Sequence, residues 1–203
     1  MEIHGFFPIK FYSFQNLDIV DKCIDMLSDE DKILSYFPNP INQTVGACMH
    51  REEKWKFLTE WVEECLSDIK EEQALQLDGY LKVSAMWGNM VPRESGGKHT
   101  PHRHANSYVS GIYYLTEGAP TVFLDPVYAR SLSSLEIPAL NNQDSLTIEP
   151  RAGTMIVFPS YVQHFTHPHY GEGNRLTIAW NSFPQGSISQ GQDGKNYVNY
   201  QVS

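Results

Sequence analysis

Two segments near the start of the chain carry apolar residues at steps of three and four. In 16–27, Leu17, Val20, Ile24 and Leu27 share one helical face, and Asn16 stands where an N-cap side chain would accept from the free amides of the first turn. Across 52–73, Trp55, Leu58, Val62, Leu66 and Ile69 form an apolar stripe, with Glu53, Lys56, Glu60, Glu63 and Lys70 on the other side. Two amphipathic helices are predicted, the second the longer, and Trp55 and Trp61 read as core. Between them, the prolines of Phe37-Pro38-Asn39-Pro40 halt helix propagation and open a loop.

From Gly79 onward the pattern changes to short runs rich in β-branched and aromatic residues. Segments 80–87, 107–115, 120–124, 154–158 and 175–181 have strand length and are bounded by Gly, Pro or Asn. The turn clusters Glu117-Gly118-Ala119-Pro120, Arg151-Ala152-Gly153 and Glu172-Gly173-Asn174 suit antiparallel hairpins of a sandwich or barrel. The expected fold is mostly β with N-terminal helices packed on a β-sandwich. We expect one domain over 1–203, made of a helical part at 1–78, a β core at 79–184 and a flexible tail at 185–203, where Gln, Gly, Ser and Asn dominate.

Composition supports a single buried core: 203 residues are 41% hydrophobic and 12% aromatic. A formal net charge of -9 argues against a nucleic-acid or anionic-membrane partner, since a polyanion would be repelled over most of the surface. No apolar run approaches the roughly 20 residues that span a bilayer, and Met1-Glu2-Ile3-His4 does not open like a signal peptide. A cytoplasmic protein is expected. Cys23, Cys48 and Cys65 are widely spaced and odd in number, which suits reduced thiols.

Six of the eight histidines fall between positions 99 and 169. In Pro101-His102-Arg103-His104, alternation on an extended chain puts His102 and His104 on one side, able to grip one ion at about 2.0–2.2 Å per nitrogen. His164, after the apolar strand Met155-Ile156-Val157-Phe158 and the turn Pro159-Ser160, is placed to be the third ligand and to leave open positions for chemistry. His167-Pro168-His169 has the same spacing but lies in a Gly- and Pro-rich turn that fixes side chains poorly. His99 ends the loop Pro92-Arg93-Glu94-Ser95-Gly96-Gly97-Lys98 and reads as solvent-facing, with a lid or substrate contact as the alternative.

The strand Arg175-Leu176-Thr177-Ile178-Ala179-Trp180-Asn181 has a polar face of Arg, Thr, Ala and Asn and an apolar face of Leu, Ile and Trp. The apolar face can pack on a sheet or the long helix. On the polar face, a guanidinium buried in a cavity needs a partner, and a bound organic acid would provide a two-pronged one. Pairing of Arg175 with Asp125 or Glu149 is the structural alternative.

These features in this order resemble the Fe(II)/2-oxoglutarate-dependent oxygenases, prolyl hydroxylase-like members above all. More closely, His102-x-His104, Ser110-Gly111-Ile112-Tyr113-Tyr114-Leu115, Phe123-Leu124-Asp125-Pro126, Phe158-Pro159-Ser160 and the strand from Arg175 look like a family of 2OG-Fe(II) oxygenases of marine bacteria and their phages. The resemblance covers about 80–184. It implies a double-stranded β-helix, or jelly-roll, cupin-like core. It also implies Fe(II) and 2-oxoglutarate as cofactors, His102 and His164 as iron ligands, and Arg175 as the partner of the far carboxylate of 2-oxoglutarate. Tyr114 matches a tyrosine that bonds the same carboxylate, and Thr177 adds a hydroxyl on the arginine's face. Trp87 and Asn89 border the pocket.

The chain departs from the family pattern at the second ligand, where His104 stands in place of an Asp or Glu. Either His104 ligates, leaving the metal site one charge more positive, or a carboxylate from elsewhere, with Asp125 foremost, completes the set. His104 is the preferred ligand. The implied activity is hydroxylation of an unidentified small molecule or protein side chain, with release of succinate and CO2. Segment 127–145 and the loop at Ser95-Gly96-Gly97 are the candidate substrate loops. A cupin-type metal enzyme that uses no 2-oxoglutarate would explain the histidines but Arg175 less well, and a non-catalytic β-sandwich interaction module is the third reading.

Overall fold

A computed structural model describes residues 9–28, 33–36, 39–73, 80–126, 145–189 and 197–200. The elements run β1 (Tyr12–Gln15), α1 (Val20–Ser28), β2 (Ile33–Tyr36), β3 (Ile41–Thr44), α2 (Lys56–Glu72), β4 (Tyr80–Val91), β5 (Val109–Tyr114), β6 (Thr121–Leu124), β7 (Ser145–Ile148), β8 (Thr154–Pro159), β9 (His164–Thr166), β10 (Arg175–Ser189) and β11 (Tyr197–Tyr200). The large sheet follows the order β1-β8-β5-β10-β4-β3-β2 with β11 also paired to β10, and a small sheet follows β7-β6-β9. Every strand pairing within these sheets is antiparallel, as a jelly roll requires.

Strand alternation separates two cores. On β5, β8 and β10 one set of side chains, including Tyr113, Met155, Val157, Leu176, Ile178 and Trp180, packs with Trp55, Leu58, Val62 and Leu66 under the helices. The alternate positions Ile112, Tyr114, Ile156 and Phe158 turn the other way and pack with Phe123 of β6. The expected apolar face of β10 therefore meets the helical side, and its polar face points between the two sheets.

Several boundaries differ from the sequence pattern. The first helix starts at Val20 rather than after Asn16, because the Asn16 N–H donates to Gly153 O at 2.9 Å and holds that residue against the sheet. The second begins at Lys56, preceded by 3-10 turns over Met49–Arg51 and Glu53–Trp55. The N-terminal part is not wholly helical, since β1 pairs with β8 and β3 with β4. The expected tail is also drawn into the sheet in part: β10 runs past a bulge at Asn181/Ser182 to Ser189, and Tyr197–Tyr200 pairs with it. Strand pairing uses backbone groups that Gln, Gly and Ser possess as fully as Val, so a polar sequence does not forbid it.

The expected substrate loop at 127–145 falls, up to 144, outside the described residues, as do 37–38 of the proline-containing loop. The loop at Ser95-Gly96-Gly97 is pinned rather than free: the Gly96 N–H donates to His169 O at 2.9 Å and Gly97 N–H to Ser95 Oγ at 3.2 Å. Cys23 and Cys65 are buried, Cys48 is exposed, and none is in a disulfide. Among the described residues no helix is long and apolar enough to cross a membrane.

Candidate metal and cosubstrate site

Backbone pairing brings the first two candidate ligands together. His102 and His164 form an isolated antiparallel bridge, with N–H···O distances of 3.0 and 2.9 Å in the two directions. His104 is tied to the turn before β9 through its N–H to Ser160 O at 3.1 Å. One potential ligand nitrogen from each of His102, His104 and His164 lies within 4.8 Å of the other two. This is the only such group of three among the described residues. Asp125 is not in it, and lines a separate cavity with Phe11, Phe123 and Val162.

The imidazoles are oriented for this use. His102 Nδ1 is 2.8 Å from Thr100 O and His164 Nδ1 is 3.3 Å from Val162 O, which directs the Nε2 lone pair of each ring away from the backbone. His104 Nε2 and His164 Nε2 stand 3.4 Å apart. Two nitrogens about 2.1 Å from a shared ion are about 3.0–3.4 Å apart for angles between right and tetrahedral, so the spacing fits. Burial, with neighbouring His102 adding to it, holds the His104 imidazole down at about pKa 4, and burial with His102 and His104 holds His164 at about 3. Both rings are therefore neutral near pH 7, the form that ligates a metal. Trp87 packs against His104 at 5.6 Å between ring centroids, and Phe158 and Phe123 flank His164 at 4.8 and 5.5 Å.

Arg175 and Thr177 open the polar face of β10 into a cavity that they share with the three histidines, Trp87 and Asn89. Arg175 is 2% exposed. Its Nε donates to Ala119 O at 2.9 Å and its Nη2 to Thr121 Oγ1 at 3.1 Å. Among the described residues it makes no ion pair, and neither Asp125 nor Glu149 answers its charge. Burial lowers its pKa, with the Tyr114 ring opposing, yet a guanidinium remains protonated in such surroundings. A buried cation with, among the described residues, only two of its five N–H groups engaged and no carboxylate beside it has the electrostatics of an acid-binding site.

Tyr114 lies beside this arginine, its ring centroid 5.7 Å from Cζ, and its hydroxyl donates to Thr121 Oγ1 at 2.9 Å. Thr177 Oγ1 accepts from Asn89 Nδ2 at 3.4 Å. Thr121 was not singled out in the sequence, although it collects both Arg175 and Tyr114. Nothing in a four-residue strand marks one threonine, and only the pairing of β6 across the cavity does so.

The remaining histidines divide. His99 does not face solvent: it is partly buried in the same cavity, and burial with nearby Arg175 pushes its imidazole down to about 3. His167 is exposed. His169 is buried and firmly held despite its turn. Its Nδ1 accepts from the Ala119 N–H at 3.4 Å and its Nε2 is 2.7 Å from Gly173 O.

Residues 85–181 match the family described as "Putative 2OG-Fe(II) oxygenase", a span that contains every residue lining this cavity. Among solved structures, HygX from Streptomyces hygroscopicus with nickel and 2-oxoglutarate bound is 14% identical, with 96% of this chain and 93% of that one covered at a TM-score of 0.59. The α-ketoglutarate-dependent epimerase SnoN of nogalamycin biosynthesis is 8% identical, with 96% and 91% covered at 0.67. A Pseudomonas putida prolyl-4-hydroxylase is 15% identical, with 85% and 92% covered at 0.56. At these identities the likeness is one of fold. No curated protein matches by sequence. Residues 85–181, which carry the central strands and the whole cavity, thus match the 2OG-Fe(II) oxygenase family, enzymes that work with Fe(II) and 2-oxoglutarate.

Proposed function

We propose that the chain holds Fe(II) through His102, His104 and His164, seats the far carboxylate of 2-oxoglutarate on Arg175, and hydroxylates a small molecule. The observation that carries this reading is a fully buried arginine without a carboxylate partner among the described residues, in the cavity that contains three convergent imidazoles. A metal-binding cupin needs no such arginine, and an interaction module needs neither feature. Once bound, iron and 2-oxoglutarate would use O2 to generate the oxidant while 2-oxoglutarate is split to succinate and CO2.

The chain's own residues then have definite tasks. Arg175 orients the cosubstrate from a guanidinium fixed by Ala119 and Thr121, so little ordering remains when the acid binds. Tyr114 keeps Thr121 in place, and Thr177 adds a hydroxyl to the same wall. Trp87, Phe123 and Phe158 surround the imidazoles and keep water from the reacting centre. His104 is the preferred third ligand because Asp125 faces a different cavity. A single domain in a cytoplasmic setting belongs to this reading, and three cysteines outside any disulfide accord with that compartment. HygX, which has been solved with hygromycin B bound, supports the choice of a small molecule over a protein side chain.

The test is anaerobic titration of 2-oxoglutarate into Fe(II)-loaded protein, following the weak visible charge-transfer band of a chelated keto acid. The band is expected in the wild type and absent in Arg175→Ala. Metal binding without a band would favour a cupin-type enzyme, and no metal binding a module. With substrate in hand, a product heavier by one oxygen marks hydroxylation, whereas unchanged mass marks an epimerase.

A further inference from the structure

A second cavity, of about 800 Å³, opens beside the first, and His104 lines both. That volume lies in the range of small-molecule sites, about 300–1,000 Å³. Its walls are joined to the candidate ligand by backbone: the His104 N–H donates to Ser160 O at 3.1 Å, and the Ser160 N–H and Oγ both donate to Tyr108 O, at 3.3 and 2.7 Å. The wall formed by Ser160 and Tyr108 is thereby fixed relative to His104.

The lining has a chemical character of its own. Although the chain carries 24 acidic and 15 basic residues, no Asp or Glu lines this cleft among the described residues, while Lys10 and Arg103 do. Lys10 is already answered by Glu72 at 2.6 Å. Arg103 makes no ion pair or hydrogen bond among the described residues. Standing between His102 and His104, it lines this cleft and not the cavity of the three imidazoles. Two tyrosines present open rings on the same walls, Tyr108 at 38% exposure and Tyr161 at 56%. Tyr108 is further braced by its hydroxyl, which donates to Gln73 Oε1 at 3.1 Å.

We propose that this cleft is the substrate site and that it takes a small molecule with a carboxylate or phosphate set beside a flat ring. The acidic group pairs with Arg103, the ring lies on Tyr108 and Tyr161, and the reacting carbon is directed past His104. The assignment rests on the oxygenase reading above. A guanidinium selects acids by a two-pronged salt bridge, and exposed tyrosine faces bind rings at small entropic cost, which together define the substrate class.

The experiment uses phenyl phosphate and benzyl alcohol as probes, titrated calorimetrically and anaerobically into Fe(II)-loaded protein with 2-oxoglutarate saturating, so that Arg175 is occupied. Phenyl phosphate is expected to bind at least tenfold more tightly than benzyl alcohol. Arg103→Glu should remove that preference, and Tyr161→Ala should weaken both probes severalfold. Both variants are expected to keep the 2-oxoglutarate band, which shows that they fold and retain the cosubstrate site. Equal binding of the two probes, or phenyl phosphate binding that survives Arg103→Glu, would overturn the assignment. Loss of the band in the wild type, with Arg103-dependent phenyl phosphate binding intact, would instead overturn the oxygenase reading and leave the anion site standing.

Discussion

His102 and His164, far apart in the chain, face each other across a two-residue antiparallel bridge with both backbone hydrogen bonds formed, at 3.0 and 2.9 Å. The candidate ligand pair is thus set by main-chain geometry, so a substitution at one imidazole should remove a metal-binding group without collapsing the strands that carry the other.

The third ligand is the sharpest test of the site. His104→Ala is expected to weaken Fe(II) binding beyond the 10–100-fold typical of outer-sphere changes, whereas Asp125→Ala retains it. His104→Asp should keep the metal, because a carboxylate in the same position still closes the set. Metal content after gel filtration checks all three, and iron retained by His104→Ala but lost by Asp125→Ala would reverse the assignment.

Thr121 accepts from both Tyr114 and Arg175, and its hydroxyl is buried. Thr121→Val keeps the shape but leaves two buried donors without an acceptor, a loss of about 1–3 kcal/mol. We expect the half-saturating 2-oxoglutarate concentration in the band titration to rise about tenfold, with Thr121→Ser close to wild type. A valine variant that titrates like the wild type would remove Thr121 from the site.

Gly111 pairs with Trp180 across β5 and β10, and a Cβ there would overlap the indole, reaching 2.7 Å from Nε1. That nitrogen donates to Met155 Sδ at 3.3 Å, so the ring has little freedom to move aside. Gly111→Ala should cost about 1–3 kcal/mol by overpacking, roughly 2–12 °C in Tm for a chain of this size. Thermal denaturation followed by circular dichroism measures it, and an unchanged Tm would show that the helix-side core yields more easily than its packing implies.

In metal-free protein, burial holds His164 and His99 at about 3 and His104 at about 4, against about 6.5 for an unfolded histidine. Since these groups are depressed in the folded state, their stabilising contribution is full above about pH 6.5. It is lost as pH falls from there toward 4 and 3, because the unfolded chain takes up protons first. With chelator present, Tm should decline steadily from about pH 6.5 to about pH 4, and His99→Gln should flatten the slope. A Tm that is level across this window would contradict the burial of these rings.

How far the sequence could be read depended on the physical basis of each signal. Periodicity identified both helices, the five strands and the two faces of β10, because alternation and helical spacing are local properties of the backbone. Element ends were less legible. Asn16 was drawn from capping into a bond with Gly153, and a polar stretch after Pro184 joined the sheet, since both depend on partners distant in sequence.

The same division holds at the site. Residue type, order and spacing alone pointed to His102, His104, His164 and Arg175, because few side chains can ligate a metal or hold a carboxylate. Only the tertiary structure decided that Asp125 belongs to another cavity, that His99 turns inward and that Thr121 braces the arginine. These are relations between strands, set by how the two sheets pair and close over one another, and no single strand carries a record of what it will face.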